Sequence, residues 1–190
     1  MRREEGFASA AASAALGAVA VAAGAYAVHV VRTWRRYGQV SPAPEDERDP
    51  LLDRFMPVSD IVERHSIRVS APAEVTYDAA RHIELTSHPV VRAIFIGREL
   101  LLGSERTAPQ DRKGLLEEIQ GMGWGVLAEV PNREIVLGAV TRPWEADVTF
   151  RAVPAEQFLA FDEPDCVKIA WTLRADALGE AESIFRTETR

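Results

Sequence analysis

Cysteine is almost missing: of 190 residues only Cys166 carries a thiol. That excludes an intramolecular disulfide framework and every zinc or redox motif built on paired cysteines. A lone thiol reads as a small buried hydrophobe. Lysine is nearly as scarce, with Lys113 and Lys168 alone, while arginine is abundant and alanine very common. We read this as the codon bias of a GC-rich genome and not as a binding property. Positive charge is short as well. Lys and Arg total 22 against 29 Asp and Glu, a formal charge of -7, and the first fifty residues are balanced, so the acidic excess lies beyond them. Phosphate recognition needs clustered cations, so nucleic acid is not expected as a partner.

Chemical signatures are sparse too. His65, His82 and His88 match no zinc spacing, so no metal is assigned. No Gly-x-Ser-x-Gly element accompanies a base, and no nucleophile stands out. Gly121, Gly123 and Gly125 superficially suggest a phosphate loop. Such a loop follows a strand and opens a helix, whereas this one follows a helix and enters a strand. No catalytic residue and no cofactor is therefore assigned, and the chain reads as a binder before an enzyme. Glu129, Glu134 and Glu188 are the acids that a cavity would recruit, although glutamate usually stays at the surface.

What the chain does have begins with a long uncharged stretch. From Gly6 to Val31 no residue is charged at neutral pH apart from His29, when protonated. About 20 apolar residues suffice to cross a bilayer core. Arg2 and Arg3 precede the stretch, Arg32, Arg35 and Arg36 follow it, and Trp34 and Tyr37 sit where interfacial aromatics belong. Residues 1–37 are thus expected to form a single-pass membrane anchor with its span at about 7–31. The arginine-rich downstream flank places the globular part on the cytoplasmic side. A cleaved signal peptide is the rival, since Ala25-Tyr26-Ala27 has the small-x-small form. Glu4 and Glu5 cancel its basic start, and Val28, Val30 and Val31 continue beyond the cut. Ser9, Ser13 and Gly17 recur every four residues, a spacing that lets helices approach but also arises by chance in so much alanine.

Residues 38–56 are rich in Pro, Asp, Glu and Arg and read as a solvated linker. At its end Leu51, Leu52, Phe55 and Met56 have the spacing of a short docking helix. A domain over 57–190 follows. Residues 61–69 alternate as a strand, and 72–84 read as a helix with acid in its first turn. Pro89 opens a second helix, and 115–122 has helical spacing. Strands follow at 124–130, 134–140, 147–153, 167–175 and 182–189, with a helical turn at 154–161. The class is α+β with an antiparallel sheet.

The opening Ile67-Arg68-Val69-Ser70-Ala71-Pro72-Ala73-Glu74-Val75 is similar to the strand, Ala-Pro-x-x-Val, helix beginning of START/polyketide cyclase-like (SRPBCC) proteins. The resemblance covers residues 60 to 190, and it implies a helix-grip fold that encloses an apolar cavity. That family adds a last strand and a long C-terminal helix, which are not evident here, so either the domain is truncated or the grip is incomplete, and an incomplete grip leaves an open sheet edge and an uncovered face. The resemblance implies binding of a lipid or other hydrophobic small molecule. A cyclase or dehydratase, or an interaction module of a membrane complex, are the alternatives. The cavity candidates are Trp124, Trp144, Phe150, Ile169, Trp171 and Phe185. Val167, Ile169, Trp171 and Leu173 share the face expected to turn inward, and core packing accounts for the tryptophans equally well.

Overall fold

The computed structural model describes residues 2–38, 40, 42–83 and 114–190, with side chains described in the first helix only from Gly17 to Arg36. The helix expected from Pro89, and His88, lie outside these residues. The chain forms two compact units, Met1–Pro42 and Ala43–Arg190.

The first unit is one helix, α1 (Arg2–Tyr37), ending in Arg35 and Arg36, where cations complement the helix dipole. Each described side chain on it is exposed, including Val19, Val21, Tyr26, Val28 and Trp34. Among the described residues no helix is long and apolar enough to cross a membrane. In α1 those residues start at Gly17, inside an uncharged stretch that begins at Gly6.

The second unit is α+β. Its elements are α2 (Pro50–Asp53), β1 (Glu63–Val69), α3 (Ala73–Arg81), α4 (Leu115–Gly121), β2 (Gly125–Val130), β3 (Glu134–Thr141), β4 (Phe150–Arg151), α5 (Ala155–Phe158), β5 (Val167–Ala177) and β6 (Ser183–Thr189). The six described strands make an antiparallel sheet in the order β1-β6-β5-β3-β2, with β4 pairing the far end of β3. Sequence alternation located these strands because hairpin connections keep successive strands adjacent. The strand expected over 147–153 shrinks to two residues.

Period-two alternation divides the sheet into two faces. On the inner face Tyr77, Leu115, Leu116 and Ile119 pack over Ile135, Leu137, Leu173 and Ala175. On the outer face Leu52, Phe55, Met56, Val153 and Phe158 pack over Leu127, Val136, Val140 and Ala170. β3 is consequently buried along its whole length.

Two expectations are corrected here. The segment read as a solvated linker up to Met56 belongs to the domain from Ala43 on. Asp49 accepts the Leu52 amide (2.8 Å), capping α2, and α2 delivers Leu52, Phe55 and Met56 to the outer core. Arginines of β5, of β6 and next after it hold the segment: Arg174 donates to Arg48 O (2.8 Å), Arg186 to Asp46 O (3.0 Å), and Arg190 to Met56 O and the Asp53 carboxylate. The edge does not fall at the last strand: among the described residues the sheet ends on β1 and β2, not on β6. β6 lies between β1 and β5, and the pairing continues through Arg190 N and O to Ala170. The outer face is covered by the 43–56 strap and α5.

Candidate functional site

The part of the inner face that no described residue covers is aromatic. Trp171 sits mid-strand on β5, opposite Leu137 of β3 and Thr189 of β6. Its indole N–H donates to Thr187 Oγ1 on the neighbouring strand, so the polar tip is satisfied and the ring face is left apolar. Ile169, two residues earlier, shares that face.

Trp124 reaches the same place from α4. The helix closes with the Met122 amide on Glu118 O and Ile119 O, and Gly123 follows at φ +103°, a backbone that L side chains rarely adopt. A Cβ there would stand 2.1 Å from Phe150 O, so glycine is also what lets the chain pass close to β4. Trp124 thereby comes to 5.4 Å from the Phe150 ring and 6.4 Å from Trp171, the latter edge-on at 72°. Both separations lie within the range of favourable aromatic pairs.

The structure thus gathers Trp124, Phe150 and Trp171 into one cluster, with Ile169 and Phe185 on the same face. Trp124, Trp171 and Phe185 pack against the inner core, and all five side chains are half-buried. Trp144 is not brought there: it stands 62% exposed in the turn after β3. Ile67, opposite Phe185 on the edge strand, is also exposed.

Polar groups border the floor at the α3 end. Tyr77 Oη donates to Glu129 (3.4 Å), and Arg81 pairs with the same carboxylate at 2.8 Å. Burial, then the Glu129 charge, push the Tyr77 phenol up to about 12, so it stays a neutral donor. Thr76 and Ser183, both buried, share a 2.7 Å hydrogen bond that pins α3 to β6.

A second polar cluster lies on the outer face, beneath the strap, where a cavity of about 110 Å³ is bordered by Arg64, Thr172, Arg174, Arg186, Glu188 and strap residues. Glu134 and Glu188, expected at the surface, are buried here because arginines face them. Arg64 grips Glu188 with two bonds, at 2.9 and 3.1 Å, and Arg190 adds a third. Burial would raise the Asp176 carboxyl, but hydrogen bonds and charge from Arg174 and Arg133 outweigh it and hold Asp176 below its ordinary value. Glu134 behaves oppositely. Burial, then a hydrogen bond to Asp49 and its charge, push Glu134 up to about 8.

Sequence reading missed this cluster, although Arg174, Arg186, Glu188 and Arg190 alternate along two strands and so share one face. That alternation is the signal which was available. Among the described residues no group of His, Cys, Asp and Glu is placed to hold a metal ion.

No protein-family model matches the chain, and no curated protein and no solved structure is significantly similar to it.

Proposed function

We propose that this chain is a membrane-tethered binding protein of the START/SRPBCC kind, whose helix-grip domain takes a hydrophobic small molecule or lipid on its inner face. One observation carries the reading: Trp124, Phe150, Ile169, Trp171 and Phe185 lie half-buried together on a face whose other end is closed by α3 and α4. Apolar area is worth roughly 25 cal/mol per Å² when removed from water, and partly covered aromatics retain much of that gain for a ligand. The return of the final strand to the first also supports a grip-like sheet. Tethering is supported by α1, which is uncharged from Gly6 to Val31, apart from His29 when protonated, and exposes its described apolar side chains on all sides.

A binding role is favoured over a cyclase or dehydratase. Glu129, the carboxylate at the border of the floor, is engaged by Arg81 and Tyr77. Proton transfer to a ligand would require breaking that pair first.

Mass spectrometry of small molecules extracted from the purified full chain tests the proposal. An apolar species should copurify, and Trp171→Ala should lower its occupancy by about tenfold, the equivalent of roughly 1.4 kcal/mol. A folded wild-type protein that carries nothing and takes up no added lipid would refute the binding role and favour an interaction module.

A further inference from the structure

The cavity of about 110 Å³ beneath the 43–56 strap is bordered by two side chains whose polar atoms the packing leaves over. Thr172, on β5, is 1% exposed, and Arg186 lies on β6. Among the described residues neither Thr172 Oγ1 nor Arg186 Nε has a hydrogen-bond partner, and both atoms are buried. Strand register makes the two residues diagonal neighbours on one face, because Thr172 stands opposite Glu188 and Arg174 opposite Arg186. Such a diagonal measures roughly 7–8 Å, which one small ligand can bridge. Valine at 172 would fill the same space beside Val136 with no hydroxyl to satisfy.

The neighbouring polar groups are engaged elsewhere. Arg174 and Arg186 face each other as like charges, and the single Asp176 carboxylate accepts from both and from Arg133. Each of the facing pair also donates to a strap carbonyl, at Arg48 and Asp46 respectively. Glu188 accepts from Arg64 and Arg190, and Asp49 from the Leu52 amide. None of these acceptors serves Arg186 Nε. What the site lacks is therefore an acceptor, since a guanidinium only donates and a threonine hydroxyl can donate beside it.

Charge and size narrow the class. Arg64, Arg174 and Arg186 border the cavity together with Glu47, Asp49 and Glu188, so one added negative charge finds three cations and a second meets three carboxylates. The volume suits several waters or an ion of a few heavy atoms. A planar, singly charged carboxylate matches both limits and makes charge-assisted bonds to a guanidinium.

We propose that the cavity beneath the strap is a binding site for a small monocarboxylate, which accepts hydrogen bonds from Arg186 Nε and Thr172 Oγ1. The ligand lies between strap and sheet and so holds the strap down. The site is on the outer face and does not depend on what the inner face binds.

Acetate is the probe. Urea unfolding of the full chain near neutral pH, in acetate against chloride at equal ionic strength, should show a midpoint that rises saturably with millimolar acetate. Acetate should also slow hydrogen exchange at the amides of Asp53, Phe55 and Met56, which bond within the strap. Thr172→Val keeps the shape, removes the hydroxyl and should weaken acetate by about tenfold. Arg186→Lys keeps the charge, removes Nε and should do likewise, and it decides the matter if the first variant fails to fold. The proposal is overturned by equal midpoints in the two salts, which would mean that the cavity holds water only. It is overturned equally by a folded variant of either kind that keeps the wild-type affinity, by phosphate raising the midpoint as much as acetate does, or by acetate binding that leaves the strap amides unchanged.

Discussion

Lys168 shows how far a single side chain organises this domain. Its ammonium donates to the carbonyls of Phe158 (3.3 Å), Leu159 (3.3 Å) and Phe161 (2.9 Å), closing the C-terminal end of α5, and it lies 5.7 Å from the Phe158 ring centroid. Three donors meet three carbonyls at the end of the helix, one of which, Phe158 O, also accepts the Phe161 amide (3.3 Å). Replacing the ammonium with a methyl thioether keeps the apolar stem and removes every donor. Lys168→Met should therefore lower stability by about 2 kcal/mol, in the range for hydrogen bonds to charged groups, as read from the urea midpoint at unchanged slope. A change below a few tenths of a kcal/mol would mean that water replaces the ammonium without loss. Composition alone pointed to genome bias in a chain with so few lysines, and nothing in the local sequence around residue 168 announces the cap. Trp171 was legible, because strand alternation puts it on the same face as Ile169 and Leu173. Glu134 was not, because its burial depends on arginines and a strap that alternation does not bring into view.

Elements were read better than their coverings. The hairpins and the helix at Leu115–Gly121 follow from periodicity and turn residues, both of which are local. The two-sided burial of β3 and β5 is not local. On β5 the residues Lys168, Ala170, Thr172 and Arg174 read as an outward face, yet Ala170, Thr172 and Arg174 are buried because the strap and α5 lie over them. Gly138 marks that covering. A Cβ there would stand 2.6 Å from both Leu127 Cδ1 and Phe158 Cε2, so α5 can sit on β3 only where no side chain intervenes. Gly138→Ala should cost about 1–3 kcal/mol by overpacking, despite the gain in chain stiffness. The measurement is a thermal or urea unfolding curve, and an unchanged or raised midpoint would show that Phe158 has room to retreat.

At the scale of the whole molecule the open question is what surrounds α1. A helix whose described apolar side chains are exposed on every side gains nothing from water and gains free energy from any apolar medium. Alanine contributes little per residue, so the proposed insertion would rest on the valines, on Phe7, Leu16 and Tyr26, and on flanking arginines suited to the interface. Charges placed within the apolar stretch should then reverse it. The full chain is expected to float with vesicles of neutral and anionic lipid, and Val21→Arg with Val28→Arg should abolish flotation. A central arginine costs about 2.5–3.5 kcal/mol on insertion scales, and two of them exceed what so alanine-rich a segment supplies. Since Ala43–Arg190 forms its own compact unit, the urea midpoint of the domain should not move in this variant. Flotation that survives both arginines would place the lipid contact on the domain, whereas a wild-type chain that never floats but self-associates would make a second copy of α1 the medium that covers it.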